Sequence, residues 1–211
     1  MALFITFEGG EGSGKTTQAK ALYRRLIRSD IPSVLIHEPG GTSLGNKLRY
    51  LLKHTRDSDI SPLSELLLFN ASRAQLINDV IRPDLSEGKA VICDRYTDST
   101  TVYQGYGRGL DMDVVRGINS TATRGLIPVL TFLMDIPVEQ GLARKGRGDY
   151  DRFEQEDIAF HQRVRNGFLA LAAEEPKRWL VVDARQPKEC VSEIIWQRVH
   201  RLLSEQDKSR E

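Results

Sequence analysis

The feature that most constrains this chain is a glycine-rich stretch close to its N-terminus. Residues 9–16 read GGEGSGKT, which matches the pattern GxxxxGK[ST] and follows a short apolar run at residues 3–7. Glycines let backbone N–H groups turn towards an anion, and the N-terminus of a following helix adds a partial positive charge. A strand, loop and helix of this kind form a P-loop, which binds the phosphates of ATP or GTP.

The motif also predicts individual roles. Lys15 can reach the β- and γ-phosphates, and the Thr16 hydroxyl can ligate Mg²⁺. The alternative is a glycine-rich turn that carries a lysine by chance. The predicted nucleotide-binding positions in this stretch are Gly9, Gly10, Glu11, Gly12, Ser13, Gly14, Lys15, Thr16 and Thr17.

Further apolar runs predict the rest of a sheet. They are short, rich in β-branched or aromatic residues and largely without alternation, as in strands buried on both faces. The runs are residues 3–7, 33–36, 90–93, 129–134 and 180–182. Amphipathic segments lie between and after them at 15–28, 63–85, 155–175 and 190–203. This order predicts an α/β, P-loop NTPase fold with a parallel sheet flanked by helices on both faces.

Composition limits the remaining possibilities. The 211 residues suit one domain, which we expect at 1–204, followed by a disordered polar tail at 205–211. The net charge of +1 gives no electrostatic reason to expect nucleic acid or membrane binding. No run reaches the length of a membrane-spanning helix. Cys93 and Cys190 form no CxxC pair, which excludes a thiolate zinc site and favours a cytoplasmic protein.

Two strands end in an aspartate, and either could lie near a bound Mg²⁺. Asp94 ends the run at 90–93, and Asp135 follows the run at 129–134. In P-loop proteins such an aspartate helps to hold the metal. We place the metal site at Thr16 and Asp94, because Arg95 follows directly and suits contact with transferring phosphates. The alternative is a surface ion pair that closes the strand.

The absence of GTPase motifs narrows the class of P-loop protein. Signalling GTPases need a DxxG switch and an NKxD guanine reader. The chain has no DxxG, and its single Asn-Lys pair, Asn46-Lys47, continues with Leu-Arg. A small kinase that moves phosphate to a small acceptor remains. Two alternatives stay open: a kinase with a different acceptor, and a nucleotide-gated regulatory protein that hydrolyses ATP without any acceptor.

Several stretches, in order along the chain, resemble the thymidylate kinase family. They are FEG at 7–9 with the P-loop, HEPGGT at 37–42, FNASR at 69–73, DRY at 94–96 with STTVYQG at 99–105, and RKGRGDYDRFE at 144–154. The resemblance implies phosphorylation of dTMP to dTDP by ATP–Mg²⁺, a step of dTTP synthesis. It also implies a homodimer, and a small mobile lid at about 142–154.

The acceptor site follows from the same resemblance. Phe69 and Arg73 are four residues apart on one helical face, and they look like the ring and the guanidinium of the family's thymine site. From the residues alone, a core phenylalanine beside a surface arginine is the simpler interpretation. The residues that the resemblance places at the base and sugar are Ser99, Thr100, Tyr103 and Gln104. The Tyr103 position is expected to crowd a ribose 2′ group.

Arg49 and Arg95 are the candidates for binding the acceptor phosphate, since cations offset repulsion between two phosphates. Arg49 could equally be a solvated helix residue. The resemblance implies that Glu11 accepts from the acceptor's 3′-hydroxyl. Glu8 either acts through water on Mg²⁺ or caps N–H groups of the loop.

The basic residues of the lid complete the predicted machinery. Position 12 is Gly where some thymidylate kinases carry an arginine, so this chain looks like the type with a basic lid. Arg147 or Arg152 is expected to stabilise the transferred phosphoryl group, and Arg144 to stack on adenine. The predicted catalytic residues are therefore Lys15, Glu11, Arg95, Arg147 and Arg152. The glycine-rich run at 105–109 is interpreted as a flexible connection.

Overall fold

The computed structural model describes residues 2–54, 60–145 and 152–208. Its sheet has five strands, all parallel, in the order β2-β3-β1-β4-β5. The strands are β1 (Leu3–Glu8), β2 (Ser33–His37), β3 (Ala90–Asp94), β4 (Leu130–Asp135) and β5 (Trp179–Asp183). This confirms the α/β fold with a parallel sheet, and each observed strand overlaps one of the predicted apolar runs.

Helices connect the strands and cover the sheet. In the described ranges they are α1 (Lys15–Arg28), α2 (Ser43–His54), α3 (Pro62–Leu76), α4 (Arg82–Ser86), α5 (Thr97–Thr100), α6 (Met112–Thr123), α7 (Val138–Lys145), α8 (Ile158–Glu174) and α9 (Lys188–Lys208). Two π-helical segments, Ile77–Ile81 and Thr101–Gly107, follow α3 and α5 directly. None of these helices has the length and apolar character needed to cross a membrane.

The central strand β1 shows that both faces of the sheet are covered. All six of its residues are buried. Successive side chains of a strand point to opposite faces. Leu3, Ile5 and Phe7 accordingly share one core cluster with α1 and α9. Phe4 packs on the other face, with its ring edge-on to Tyr96 at 4.9 Å between centroids.

The glycine-rich run after α5 differs from its prediction as a flexible connection. Gly105 and Gly107 lie in the buried π-helical segment rather than in a loop. A Cβ atom on Gly107 would lie 2.7 Å from the buried ring of Phe160. Glycine is needed here because α8 packs close to the backbone. The C-terminus differs too, because α9 continues to Lys208, past the predicted start of the tail at 205.

The sheet brings the predicted site residues to one edge. In its parallel register Phe7 lies opposite Asp94, and Glu8 lies opposite Leu133. The P-loop after β1 and the turn after β3 therefore leave the sheet side by side. In open parallel sheets this carboxyl edge is where ligands bind.

Candidate active site

A cleft of about 580 Å³ opens at the carboxyl edge of the sheet. It runs from the P-loop, past the ends of β2 and β3, to α2, α3 and the segment Thr101–Gly107. Most of the predicted site residues line it. They are Glu11, Gly12, Ser13, Gly14, Lys15, Thr16, Thr17, Arg49, Phe69, Arg73, Asp94, Arg95, Ser99, Thr100, Tyr103 and Gln104.

The P-loop has a backbone that only glycine adopts easily. Gly12 and Gly14 have φ of +65° and +86°. A Cβ on Gly12 would collide with the backbone of Gly141 in α7. The Lys15 ammonium is buried and donates to the Gly10 carbonyl at 2.6 Å and to Ser13 Oγ at 3.3 Å. Burial lowers the pKa of Lys15 to about 8.

Thr16 and Asp94 form the pair of oxygen ligands predicted for the metal. The Thr16 hydroxyl donates to a carboxylate oxygen of Asp94. Mg²⁺ prefers oxygen ligands and usually keeps several waters, so a hydroxyl and one carboxylate beside a phosphate cradle suit it. The rival Asp135 instead binds Arg165 with both oxygens, at 2.8 and 2.9 Å. In the described part of the chain no three His, Cys, Asp or Glu side chains cluster as a metal site.

Arg95 connects the P-loop to the residues predicted to bind the acceptor, which together are called the acceptor side. Its φ of +72° is unusual for a residue with a side chain. One guanidinium nitrogen donates to the Gly9 carbonyl at 3.3 Å and to Ser99 Oγ at 3.1 Å. The other donates to Glu11 Oε1 at 2.8 Å and to the Tyr103 hydroxyl at 3.3 Å. The Tyr103 hydroxyl in turn donates to the same Glu11 oxygen at 3.1 Å.

Glu8 has a structural position that differs from its predicted role near the metal. Its carboxylate is fully buried and accepts from the backbone N–H groups of Tyr96 and Ser99, at 2.8 and 3.2 Å. It also accepts from Ser99 Oγ at 2.5 Å. Burial, with a contribution from nearby Asp98, raises the pKa of Glu8 to about 7. Glu8 thus holds the N-terminus of α5 against the sheet.

On the acceptor side, Phe69 lines the cleft as predicted and is half-buried. Arg73 lines the cleft too, but only 1% of it is exposed. A guanidinium has five N–H donors, and those of Arg73 all have partners. The partners are Glu38, Asn70, Asn119, the Tyr96 carbonyl and Thr100 Oγ1. Donation to a base carbonyl, as predicted for Arg73, therefore requires the loss of an existing hydrogen bond.

The other polar residues predicted to bind the acceptor also have protein partners. Arg49 lines the cleft and donates to the Pro39 carbonyl at 2.9 Å. Thr100 Oγ1 accepts from Arg73 at 2.9 Å, and Gln104 Nε2 donates to Glu65 at 2.7 Å. The acceptor side is therefore held in place before any ligand binds.

Two of the three predicted lid arginines, Arg144 and Arg152, lie in the described part of the chain. Arg147 lies outside the described residues. Arg144 donates to the Ala184 carbonyl at 2.8 Å, beside the turn that follows β5. Arg152 forms an ion pair with Glu65 on α3. Arg144 and Arg152 are absent from the described residues that line the cleft.

The sequence analysis gave no role to several residues that line the cleft. Among them are His37, Glu38, Leu52, Lys53, Tyr96, Phe153 and Glu154. Lys53 could have been found, since it lies four residues after Arg49 on one face of α2. Phe153 could not be found from a local pattern, because it contacts residues that are distant in the sequence. Its ring centroid lies 5.7 Å from that of Phe69 and 6.0 Å from that of Tyr103.

The phosphate-binding loop occupies one end of the cleft, and polar and aromatic side chains line the other end. A cleft of this kind suits an enzyme that holds two substrates at once. The fold and the site therefore define a P-loop kinase. Comparison with known proteins identifies the family. Residues 7–195 match the family model described as thymidylate kinase. The chain belongs to the thymidylate kinase family and phosphorylates dTMP to dTDP with ATP, in dTTP synthesis.

Individual relatives agree with this assignment. The chain is 58% identical to a thymidylate kinase of Dehalococcoides mccartyi, over 96% of this chain and 98% of that protein. It is 46% identical to one of Roseiflexus castenholzii, over 92% and 91% of the two chains. Its structure is similar to the crystal structure of a thymidylate kinase from Ehrlichia chaffeensis, with a TM-score of 0.76 and 35% identity, covering 93% of this chain and 98% of that one.

The buried ammonium of Lys15 predicts proton uptake when ATP binds. With a pKa of about 8, Lys15 loses its charge in the free enzyme as the pH rises above that value. Bound phosphates favour the charged form, so binding above about pH 8 should draw a proton from solution. We expect the number of protons taken up per ATP to rise with pH, from near zero at about pH 7 towards one at about pH 9. Calorimetry in buffers of different ionisation enthalpy measures it.

The control for this prediction is Lys15→Arg, because a guanidinium keeps its charge throughout this range. The variant should show little change in proton uptake with pH. Equal uptake by the wild type and by Lys15→Arg would show that another group titrates.

Proposed function

We propose that ATP–Mg²⁺ binds at the P-loop and that dTMP binds between Arg95, Phe69 and Tyr103, with its phosphate directed at the donor. The observation that carries this proposal is the hydrogen-bonded group of Arg95, Glu11 and Tyr103. Glu11 belongs to the P-loop, whereas Tyr103 belongs to the segment after α5, and Arg95 contacts both. Two substrates that bind on either side of this group would meet beside it.

The chemistry needs positioning and charge stabilisation more than proton transfer. The acceptor phosphate is already an anionic nucleophile at neutral pH, so no strong general base is required. Lys15 and Arg95 both line the cleft at the P-loop, and they would stabilise the charge of the transferred phosphoryl group. When bound at Thr16 and Asp94, Mg²⁺ would neutralise charge on the donor phosphates.

Glu11 is assigned to the sugar of the acceptor. In the structure its carboxylate is the anionic partner of Arg95, and only 14% of its side chain is exposed. An acceptor phosphate offers Arg95 a second anion with matching fork geometry. Glu11 then becomes available to accept from the 3′-hydroxyl. Tyr103 is 6% exposed and its hydroxyl is held by Glu11, so its ring forms a fixed wall against a 2′-hydroxyl.

The assignment predicts turnover that depends on dTMP. A coupled assay measures ADP release with ATP–Mg²⁺ and one acceptor at a time: dTMP, ribothymidine 5′-monophosphate, dUMP, dCMP, dGMP or AMP. We expect the highest kcat/KM with dTMP, and dTDP as product. Lys15→Ala should lower kcat by at least about a hundredfold, since the charge that meets the donor phosphates is lost.

Lys188→Ala, an exposed lysine at the start of α9, is the matched control and should retain full activity. Turnover with another monophosphate alone, and not with dTMP, would refute the roles of Phe69, Arg73 and Tyr103. ADP release that is indifferent to every acceptor would indicate a regulatory ATPase instead.

The metal site predicts a change in Mg²⁺ requirement. Asp94→Asn removes the carboxylate that accepts from Thr16, and the Mg²⁺ concentration for half-maximal activity should rise about tenfold or more. Asp135→Asn is the matched control, because Asp135 also ends a parallel strand, β4 on the other side of β1, but pairs with Arg165. Its Mg²⁺ dependence should equal that of the wild type. An unchanged requirement in Asp94→Asn would place the metal elsewhere.

We further propose that the enzyme is a cytoplasmic homodimer. Leu63 and Leu67 lie one turn apart on α3, and Val114 lies on the neighbouring α6; they are 47%, 50% and 46% exposed. Apolar side chains grouped in this way suit a second copy of the chain. Sedimentation equilibrium should give about twice the mass of one chain, and Leu67→Glu should give a monomer. A monomeric wild type would contradict the dimer.

The proposed cytoplasmic location, which is a reducing compartment, agrees with the two free cysteines, Cys93 and Cys190.

A further inference from the structure

Glu65 is a buried carboxylate that connects three separate parts of the chain. It lies on α3, one turn before Phe69, and only 1% of its side chain is exposed. It accepts from Gln104 Nε2 at 2.7 Å and from Arg108 Nε at 3.3 Å, and it pairs with Arg152. Arg108 also pairs with Glu156, so two glutamates and two arginines balance their charges.

Both arginines lie against one aromatic ring. The guanidinium carbon of Arg152 lies 5.0 Å from the centroid of the Phe153 ring, and that of Arg108 lies 5.7 Å from it. Phe153 is 8% exposed, lines the cleft and contacts Phe69. Cation–π contacts of this kind depend on where the cation is held. Glu65 therefore binds both of the arginines that lie against the Phe153 ring.

Glu65 also controls how the Gln104 amide is turned. An ionised carboxylate only accepts hydrogen bonds, so the amide nitrogen of Gln104 must face it. This leaves the amide oxygen as the acceptor that Gln104 can offer elsewhere. Gln104 and Phe153 both line the cleft, on the side where Phe69 lies. Glu65 thus contacts one residue of the cleft lining directly and the other through two arginines.

We propose that Glu65 is a positioning residue for the acceptor base, and that Arg152 acts as its partner in this role rather than at the transferred phosphoryl group. The proposal rests on the proposed function, because it assigns the base to this side of the cleft. Glu65 does not touch the acceptor itself. It acts through Arg152 and Arg108 on the Phe153 ring, and directly on the Gln104 amide.

The kinetic test separates acceptor binding from chemistry. For Glu65→Gln and for Arg152→Met we expect the KM for dTMP to rise roughly tenfold, with the KM for ATP within about twofold of the wild type. The double variant should be little worse than Glu65→Gln alone, because Glu65→Gln already disrupts the ion pair with Arg152. If Arg152 stabilised the phosphoryl group, Arg152→Met would instead lower kcat by about a hundredfold or more at saturating substrates, which would overturn the proposal.

The matched control is Glu193→Gln, which removes a glutamate from an exposed ion pair with Arg25. Its kinetic constants should equal those of the wild type. The thermal midpoint of each variant shows whether it is folded at the assay temperature. Arg152→Met keeps the question answerable if Glu65→Gln does not fold.

A ligand-free measurement distinguishes failure of this proposal from failure of the proposed function. The phenylalanines are labelled with fluorine, and the Phe153 signal is assigned by its loss in Phe153→Leu. We expect this signal to shift or broaden in Glu65→Gln and in Arg152→Met, without any nucleotide present. An unchanged Phe153 signal would refute the positioning role. A shifted signal together with an unchanged KM for dTMP would refute only the proposed location of the acceptor base.

Discussion

The parallel pairing of β1 with β3 decides which loops lie side by side at the carboxyl edge of the sheet. Phe7 lies opposite Asp94, so the P-loop and the turn at Arg95 leave the sheet at the same point. Arg95 has a left-handed backbone conformation that costs free energy, and its N–H donates to the Phe7 carbonyl at 3.0 Å. The contacts of its guanidinium offset that cost. In another register, Glu11 and Tyr103 would have no common partner.

Buried carboxylates organise the acceptor side. Glu8 holds the N-terminus of α5, Glu38 pairs with Arg73, and Glu65 pairs with Arg152. A buried ion pair adds little net stability, but removal of one partner costs about 3–5 kcal/mol, because the other charge stays buried. These buried carboxylates therefore contribute more to the positions of the side chains that line the cleft than to the stability of the fold. An acceptor pocket that is held in place beforehand loses less entropy when the substrate binds.

Local patterns predicted the donor side more fully than the acceptor side. The predicted helix at 15–28 has the bounds of α1, and Lys15 bonds to residues only two and five positions away. The partners of Arg73 extend as far as Asn119, 46 residues along the chain, and no local pattern indicates such a contact. Gly107 shows a related limit: composition does not separate a glycine needed for flexibility from one needed for close packing against Phe160.

In the proposed mechanism, Arg95 joins the two substrate sites by exchanging Glu11 for the acceptor phosphate. A crystal structure of the complex with dTMP, compared with crystals free of nucleotide, measures this directly. We expect the phosphate within hydrogen-bond distance of Arg95, Glu11 turned towards the 3′-hydroxyl, and thymine against Phe69. A phosphate bound away from Arg95, with the ion pair to Glu11 unchanged, would contradict this assignment.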